Sequence, residues 1–334
     1  MGPSRPAGCS PAIGCASWWR RGVIEVLQAG VQTTVQDRGR PGLRHWGVAQ
    51  GGAADAEALA LANALVGNPP DAAGLEVWQG PVRLRLHGQG TLAVAGADFA
   101  ATLAGRALRP GWRAPWRPGD ELVLAARPRH GACAVLAVAG GVDVPLCLGA
   151  RGTDLAGGWG GWQGRALRAG DRLPLAPGRV LAGHRGVAPL PWRTSLRALP
   201  GPEHDSHFDA RTQAAFWAGV WRVSPQSNRM GARLSGPVLQ GLARDEMPSQ
   251  AVMPGVVQVP GGGQPIALRV DAQSTGGYPR IAVVIAADAA ALAQWPAGAE
   301  LRFERVDAST AQRAAAQREA EHHALLQACQ RWLR

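Results

Sequence analysis

Hydrophobic positions in this chain recur mostly as short apolar runs separated by Gly, Pro and Asp, the punctuation of β-strands and tight turns. Val23-Ile-Glu-Val-Leu-Gln28 predicts the first strand. Within Leu75–Leu86, Val82, Leu84 and Leu86 alternate with Arg83 and Arg85, which predicts a half-buried strand with its arginines outward. Gly131–Ala150 is the most apolar stretch, but Asp143, Pro145 and several glycines interrupt it. It reads as two buried strands joined by a turn, since a membrane span needs about 20 uninterrupted apolar residues. Pro260-Gly-Gly-Gly263 reads as a hairpin turn between two apolar strands. The helical period of 3.6 shows in two places. Asp55 can cap a helix in which Leu59, Ala62, Leu65 and Val66 share a face, and Gly67 and Pro69 stop it. The tail from Ala308 to Arg334 has neither Gly nor Pro and favours helix. Its apolar stripe, Leu325, Leu326, Cys329, Trp332 and Leu333, is expected to pack on its own domain; a partner-binding helix is the sharper alternative.

These elements fall into a mainly β chain. Residues 1–22 have no hydrophobic period and no apolar core of a signal peptide, so they read as a disordered N-terminal extension. Two segments then echo one another. Gln36–Leu43 resembles Ser227–Leu234, and Leu92–Ala95 stands where Ile281–Ile285 stands later, at offsets of 191 (36 to 227) and 189 (92 to 281) residues. The reading is two related β units, 23–190 and 193–306, joined at the proline-rich Ala188–Trp192 and followed by a helix over 307–334.

Composition narrows the chemistry. All 35 basic residues are arginine, against 24 acidic ones, for a net charge of +11. With no lysine there is no Walker-type phosphate-loop lysine, no Schiff-base lysine and no lysine general base. The arginine, alanine and glycine excess fits a GC-rich coding bias, so the charge is not evidence for nucleic-acid binding. The five cysteines are odd in number and form no C-x-x-C, which argues for reduced thiols in a cytoplasmic protein over a disulfide or zinc scaffold. Neither G-x-S-x-G nor H-E-x-x-H occurs. His204 and His207, with Asp205 and Asp209, lack a third ligand position and read as a polar loop; no metal site is predicted. Gly157–Gly164 could offer backbone N–H groups to phosphate but does not fit G-x-G-x-x-G.

Three segments are polar beyond what filler needs. Gln32–His45 gathers amide, hydroxyl, carboxylate, guanidinium and imidazole groups between turn formers. Asp271–Arg280 (DAQSTGGYPR) joins two apolar strands, where polar groups must be paired with each other or with a ligand, and Gly276-Gly277 would let a small molecule approach the backbone. In Ser227–Leu234, Arg229 and Arg233 lie four apart, on one face of either a helix or a strand, and could clamp an anion. Self-satisfied turns and solvated arginines are the structural alternatives.

Together with LANALVGNP and LAVAGGVDVP, the segments QTTVQDRGRPG, SNRMGARLSG and DAQSTGGYPRIAVV resemble the family of the 5-oxoprolinase C subunit, which is also that of the carboxyltransferase domain of urea carboxylase. The resemblance runs from about Val23 to Val306. It implies two tandem cyclophilin-like β-barrel domains with a site in the cleft between them. It also implies a complex with the B and A subunits of 5-oxoprolinase that uses ATP, with Mg²⁺, to cleave 5-oxo-L-proline to L-glutamate. Two alternatives come with it: carboxyl transfer from carboxybiotin to urea or a related amide, and a non-catalytic role beside a kinase inhibitor that resembles the B subunit. Asp37, Arg40, Arg151, Arg229, Arg233, Asp271, Thr275 and Tyr278 match motif positions. Asp271, Asp37 and Tyr278 are the expected catalytic groups; Arg40, Arg151, Arg229, Arg233, Gln273 and Thr275 are expected on substrate or phosphate. The chain departs from the family at Gly51 and Gly152, where serines are usual, and at Asn228, where aspartate is usual.

Overall fold

A computed structural model of the protein describes residues 22–242 and 247–333. All of the N-terminal extension except Gly22 lies outside the described residues. The chain is mainly β. Its first unit holds two six-stranded sheets. One runs in the order Arg172–Pro174, Val23–Ala29, Val82–His87, Glu121–Leu124, Thr102–Leu103, Arg106–Ala107. The other runs Arg185–Gly186, Trp112–Trp116, Gly90–Asp98, His130–Val138, Gly74–Gln79, Gln32–Gln36. The alternation in Val82–His87 does what period 2 demands: Val82, Leu84 and Leu86 enter the core between the sheets, while Arg83 and Arg85 face out and bond Glu121 at 2.7 and 2.9 Å. Helix α1 (Ala56–Val66) covers the outer face of the second sheet, and Leu59, Ala62 and Leu65 pack on Ala93, Ala95, Val135 and Ala137. The strands Gly90–Asp98 and His130–Val138 are thereby buried on both faces, which is why they read as unbroken apolar runs.

The second unit holds a small two-stranded sheet, Gln250–Ala251 with Thr275–Gly276, and an eight-stranded one: Glu300–Leu301, Trp221–Val223, Gly231–Ser235, Ile266–Leu268, Val256–Gln258, Arg280–Val284, Leu196–Pro200, Phe303–Arg305. Its two edge strands are separated by Arg302 alone, so the sheet curls into a nearly closed barrel. Helix α2 (Ala210–Ala218) helps plug it; Phe216 stacks on Phe303 with centroids 4.9 Å apart and meets the fully buried Trp221. As expected, Pro260–Gly263 turns between two paired strands.

Four expectations need correction. Leu75–Leu86 is not one strand: it breaks at the cis Gly80–Pro81 bond, and its halves join different sheets, because proline cannot donate to a ladder there. Gly131–Ala150 contributes the one strand His130–Val138 and then an irregular loop, since Gly140 and Gly141 take positive φ. The tandem echo is not a strand-for-strand repeat. Gln36–Leu43 leads out of a strand into a turn, whereas Ser227–Leu234 leads from a turn into a strand, and the sheet orders of the units differ. Finally, the C-terminal helix α3 (Ala308–Gln330) packs across to the first unit. Cys329, Leu325, Leu326 and Trp332 join the α1 cluster, and Arg318 reaches Glu57 on α1 at 2.6 Å. Among the described residues, no helix is long and apolar enough to cross a membrane.

Candidate functional site

The two units meet along a seam, and polar loops from both converge on Arg229. Asn228 makes an Asx turn, its Oδ1 accepting the Met230 amide at 2.9 Å, which turns Arg229 inward and Met230 outward. The Asp271 amide donates to the Arg229 carbonyl at 3.1 Å, so the 227–231 and 269–271 segments lie side by side. Every nitrogen of the Arg229 guanidinium then has a partner. Nε and Nη2 grip the Asp271 carboxylate at 2.7 and 2.9 Å, Nη2 also reaches the Gly52 carbonyl at 2.6 Å, and Nη1 donates to Glu76. Glu76, in the strand Gly74–Gln79 of the first unit, also accepts from the Ala54 amide at 2.7 Å and from Trp78 Nε1 at 2.6 Å. Burial opposes the Arg229 charge, but Glu76 and Asp271 outweigh it and raise its pKa. Burial pushes the Asp271 carboxyl up from its ordinary range, against the pull of Arg229.

Arg40 approaches the same place from the first unit. Its Nε and Nη2 donate to the Cys147 and Gly152 carbonyls at 3.0 and 2.7 Å, and its plane lies 4.2 Å from the Trp159 ring centroid. The Gly157–Gly164 loop thus supplies a platform for an arginine, not a phosphate cradle. Burial lowers the Arg40 pKa, with Asp37 opposing. Gly51, at φ 63°, keeps a gap open here. A Cβ on it would sit 3.6 Å from Arg40 Nη1 and 3.9 Å from Asp271 Oδ1. A guanidinium and a carboxylate therefore flank one small space at the seam.

The other expected site residues fall in three places. Asp37 holds structure: Oδ1 accepts the Gly39 amide at 2.8 Å and Oδ2 the Arg151 amide at 2.5 Å, so it clasps two loops. The Arg151 side chain donates to the Val144 carbonyl at 2.9 Å. Arg233 does not clamp an anion with Arg229. It faces out from the strand Gly231–Ser235, while Arg229 belongs to the preceding turn, where strand parity does not reach. The side chains of Gln273, Thr275 and Tyr278 are exposed along the rim of the Asp271–Arg280 loop. That loop is fastened by Arg44 of the first unit, whose guanidinium donates to the carbonyls of Val252, Ala272 and Gln273 at 2.6, 3.3 and 2.8 Å. At Gly152 a Cβ would lie 2.9 Å from Gln36 Oε1 and 3.0 Å from Asp37 Oδ1, so the loop closes tightly there. His204 is held by Asp205 and by Trp217, and among the described residues no His, Cys, Asp and Glu cluster could hold a metal ion.

Sequence reasoning missed Glu76, Gln294, Arg269 and Trp78. Gln294 crosses the seam, donating to Asp55 Oδ2 at 2.6 Å and to the Cys133 carbonyl at 2.9 Å, and accepting from the Ala132 amide at 3.0 Å. Arg269 lies over the Trp78 ring, 5.1 Å from its centroid. Arg229, Arg269 and Trp78 line one wall of a groove of roughly 830 Å³ that opens along the seam. Trp192 of the connecting segment and Trp295 of the second unit also line it, as do the exposed Arg127 and Arg129.

Comparison with known proteins places this geometry. Residues 46–305 match the carboxyltransferase domain, subdomains A and B. The chain is 47% identical to the C subunit of 5-oxoprolinase from Escherichia coli over 282 residues, covering 84% of this chain and 90% of that protein. It is 40% identical to the corresponding C subunit from Haemophilus influenzae, over 85% of this chain and 91% of that one. The crystal structure of the urea amidolyase of K. lactis superposes with a TM-score of 0.83 at 26% identity, over 92% of this chain and 20% of that much longer one.

Proposed function

The chain belongs to the carboxyltransferase-domain family, subdomains A and B, and from that premise we propose that it is the C subunit of an ATP-dependent 5-oxoprolinase, a hydrolase active as a complex with the A and B subunits. The observation that carries the reading to a site is the Arg229 knot. It joins carboxylates of both units and fixes Asp271 across the space at Gly51 from Arg40. A donor and an acceptor on either side of one position suit the two polar ends of an amide group.

A five-membered lactam is a stable amide, and its opening has to be driven. The lactam oxygen attacks the γ-phosphorus of ATP; the bond to the bridging oxygen breaks and ADP leaves. Water adds to the activated carbon, the C–N bond breaks with the nitrogen taking a proton, and a second water releases phosphate to give glutamate. Arg40 supplies a fixed cation for charge developing on the oxygen, in a water-poor site where such a donor counts most. Asp271 accepts the proton of the attacking water; its burial keeps it a better base than an exposed aspartate. Arg229 positions Asp271. Tyr278 and Thr275, on the exposed rim, contact the substrate or a neighbouring protein of the complex. This chain offers phosphate guanidinium and backbone N–H donors, and carboxylates for Mg²⁺ would come with the partner subunits.

The test is co-expression with the A and B subunits and an assay of glutamate release from 5-oxoproline with and without ATP. ATP-dependent release that is lost in Asp271→Asn supports the reading; a reconstituted complex with no release overturns it, and release undiminished in Asp271→Asn removes the base role. The likeness to urea amidolyase favours one second reading, carboxyl transfer to a urea-like amide. Since the chain has no lysine to carry biotin, carboxybiotin would then arrive on another protein, and biotin-dependent carboxylation of urea by the complex would mark that outcome.

A further inference from the structure

Along the groove behind Arg229, three arginines (Arg127, Arg129 and Arg269) make no ion pair among the described residues, unlike Arg193, which pairs with Glu304 at 2.9 Å, and Arg229 itself. Arg269 is 5% exposed. Its Nη1 and Nη2 donate to the carbonyls of Asn228 and Leu292 at 3.2 and 3.1 Å, and its Nε is buried with no partner. Glu76 acts on it only at a distance, and a buried charge without a carboxylate in contact is costly, so an anion placed beside it relieves that cost. Arg127 and Arg129 in the groove lining are exposed, and their side chains make no ion pair or hydrogen bond among the described residues. The groove's one carboxylate, Glu300, is already paired with Arg222 at 3.2 Å. Its lining therefore carries more guanidinium groups than carboxylates.

Its walls are aromatic. Trp78, Trp192 and Trp295 line it, and Trp192 is held flat against His130, with ring centroids 5.0 Å apart and planes 14° from parallel. At roughly 830 Å³ the groove is in the size range of small-molecule sites. Flat π-surfaces beside unpaired guanidinium groups suit a ligand that is aromatic at one end and polyanionic at the other.

We propose that this groove is a nucleoside triphosphate site, with the base against the Trp78, Trp192 and Trp295 walls and the phosphates on Arg127, Arg129 and Arg269. The proposal rests on the oxoprolinase reading for one point alone, that the nucleotide is ATP. The full chain, without the A and B subunits, is titrated with ATP while tryptophan fluorescence is followed, and binding is confirmed by calorimetry. Saturable binding is expected, at least tenfold tighter than inorganic tripolyphosphate, and weakening as salt is raised. The double variant Arg127→Ala/Arg129→Ala, whose replaced side chains are exposed and unpartnered, is expected to fold normally by circular dichroism and to bind ATP at least tenfold more weakly. Absence of ATP binding at millimolar concentration overturns the proposal, as does unchanged affinity in the double variant. Tripolyphosphate binding as tight as ATP overturns the aromatic half of the site. The two readings fail separately. ATP binding without glutamate release by the complex sinks the oxoprolinase reading and leaves the groove; full release by a complex carrying the double variant sinks the groove and leaves the oxoprolinase.

Discussion

Arg229 and Arg269 stand on the same seam and are equally buried, 3% and 5% exposed, yet the molecule treats them oppositely. Arg229 meets two carboxylates and a carbonyl, and its pKa is raised. Arg269 meets two carbonyls and an aromatic face, and burial pulls its pKa down to about 10. The first arginine is satisfied within the fold and joins its units. The second is left with charge to spare at the wall of a groove. The contrast teaches that burial alone does not define a structural arginine; the partners do.

The sharpest way to break this contrast is to remove each guanidinium in turn. Arg229→Met leaves Glu76 and Asp271 buried without their cation, a change that costs about 3–5 kcal/mol when one partner of a buried pair is lost. Urea unfolding is expected to show that loss. Arg269→Met keeps an apolar stem against Trp78 and removes a charge that no carboxylate contacts, so its cost is expected to stay at about 1 kcal/mol, two neutral hydrogen bonds offset by relief of desolvation. Equal losses in the two variants would show that the partners do not matter.

A second polar knot on the same seam sharpens the comparison through pH. Asp55 caps α1 through the Ala58 amide at 2.8 Å and accepts from Gln294, and burial raises its pKa from 3.8 to about 6. A carboxyl whose folded pKa lies above its unfolded value stabilises the fold most when protonated. Its contribution is thus full below about pH 4, falls between pH 4 and pH 6, and is gone above that; the difference is roughly 3 kcal/mol. Asp55→Asn removes the titration while keeping a capping oxygen. Its unfolding free energy, followed from pH 4 to pH 7, is expected to lack a decline of roughly that size that the parent protein shows. Parallel pH profiles would mean that Asp55 stays ionised in the fold.

How much of this was legible depends on whether a residue's neighbours were near it in sequence. Helix α1 was readable because its cap, its apolar face and its Gly67 stop all lie within one stretch. The Asp271–Arg280 loop stood out through its density of polar side chains between apolar strands, and Asp271 does meet Arg229. Glu76 was invisible for a physical reason. Between Leu75 and Val77, period 2 sends it outward, and only the packing of the second unit over that face makes outward mean buried. Gln294 sits in an alanine-rich run with nothing to mark it, and the cap it shares with Asp55 lies 239 residues away. The C-terminal helix showed its stripe but not its target, since α1 presents a matching surface only once folded.

The smallest expected effect comes from a charged pair that also crosses between the units but lies nearer to water. Arg318 on α3 grips Glu57 on α1 with Nε and Nη2, at distances from 2.6 to 3.1 Å, while the side chains remain 18% and 26% exposed. Solvent screens such a pair, and measured pairs of this kind contribute about 0.2–1 kcal/mol. Most of the grip of α3 on the first unit should instead come from Cys329, Leu325, Leu326 and Trp332, whose apolar surface is removed from water. Arg318→Ala is therefore expected to lower the unfolding free energy by under about 1 kcal/mol and to lose that difference in high salt. Leu325→Ala, which keeps every charge, is expected to lose more and to be insensitive to salt. A salt-sensitive loss in Arg318→Ala as large as that of Arg229→Met would mean that exposed and buried pairs hold this seam equally, and the distinction between Arg229 and Arg269 would then rest on the groove alone.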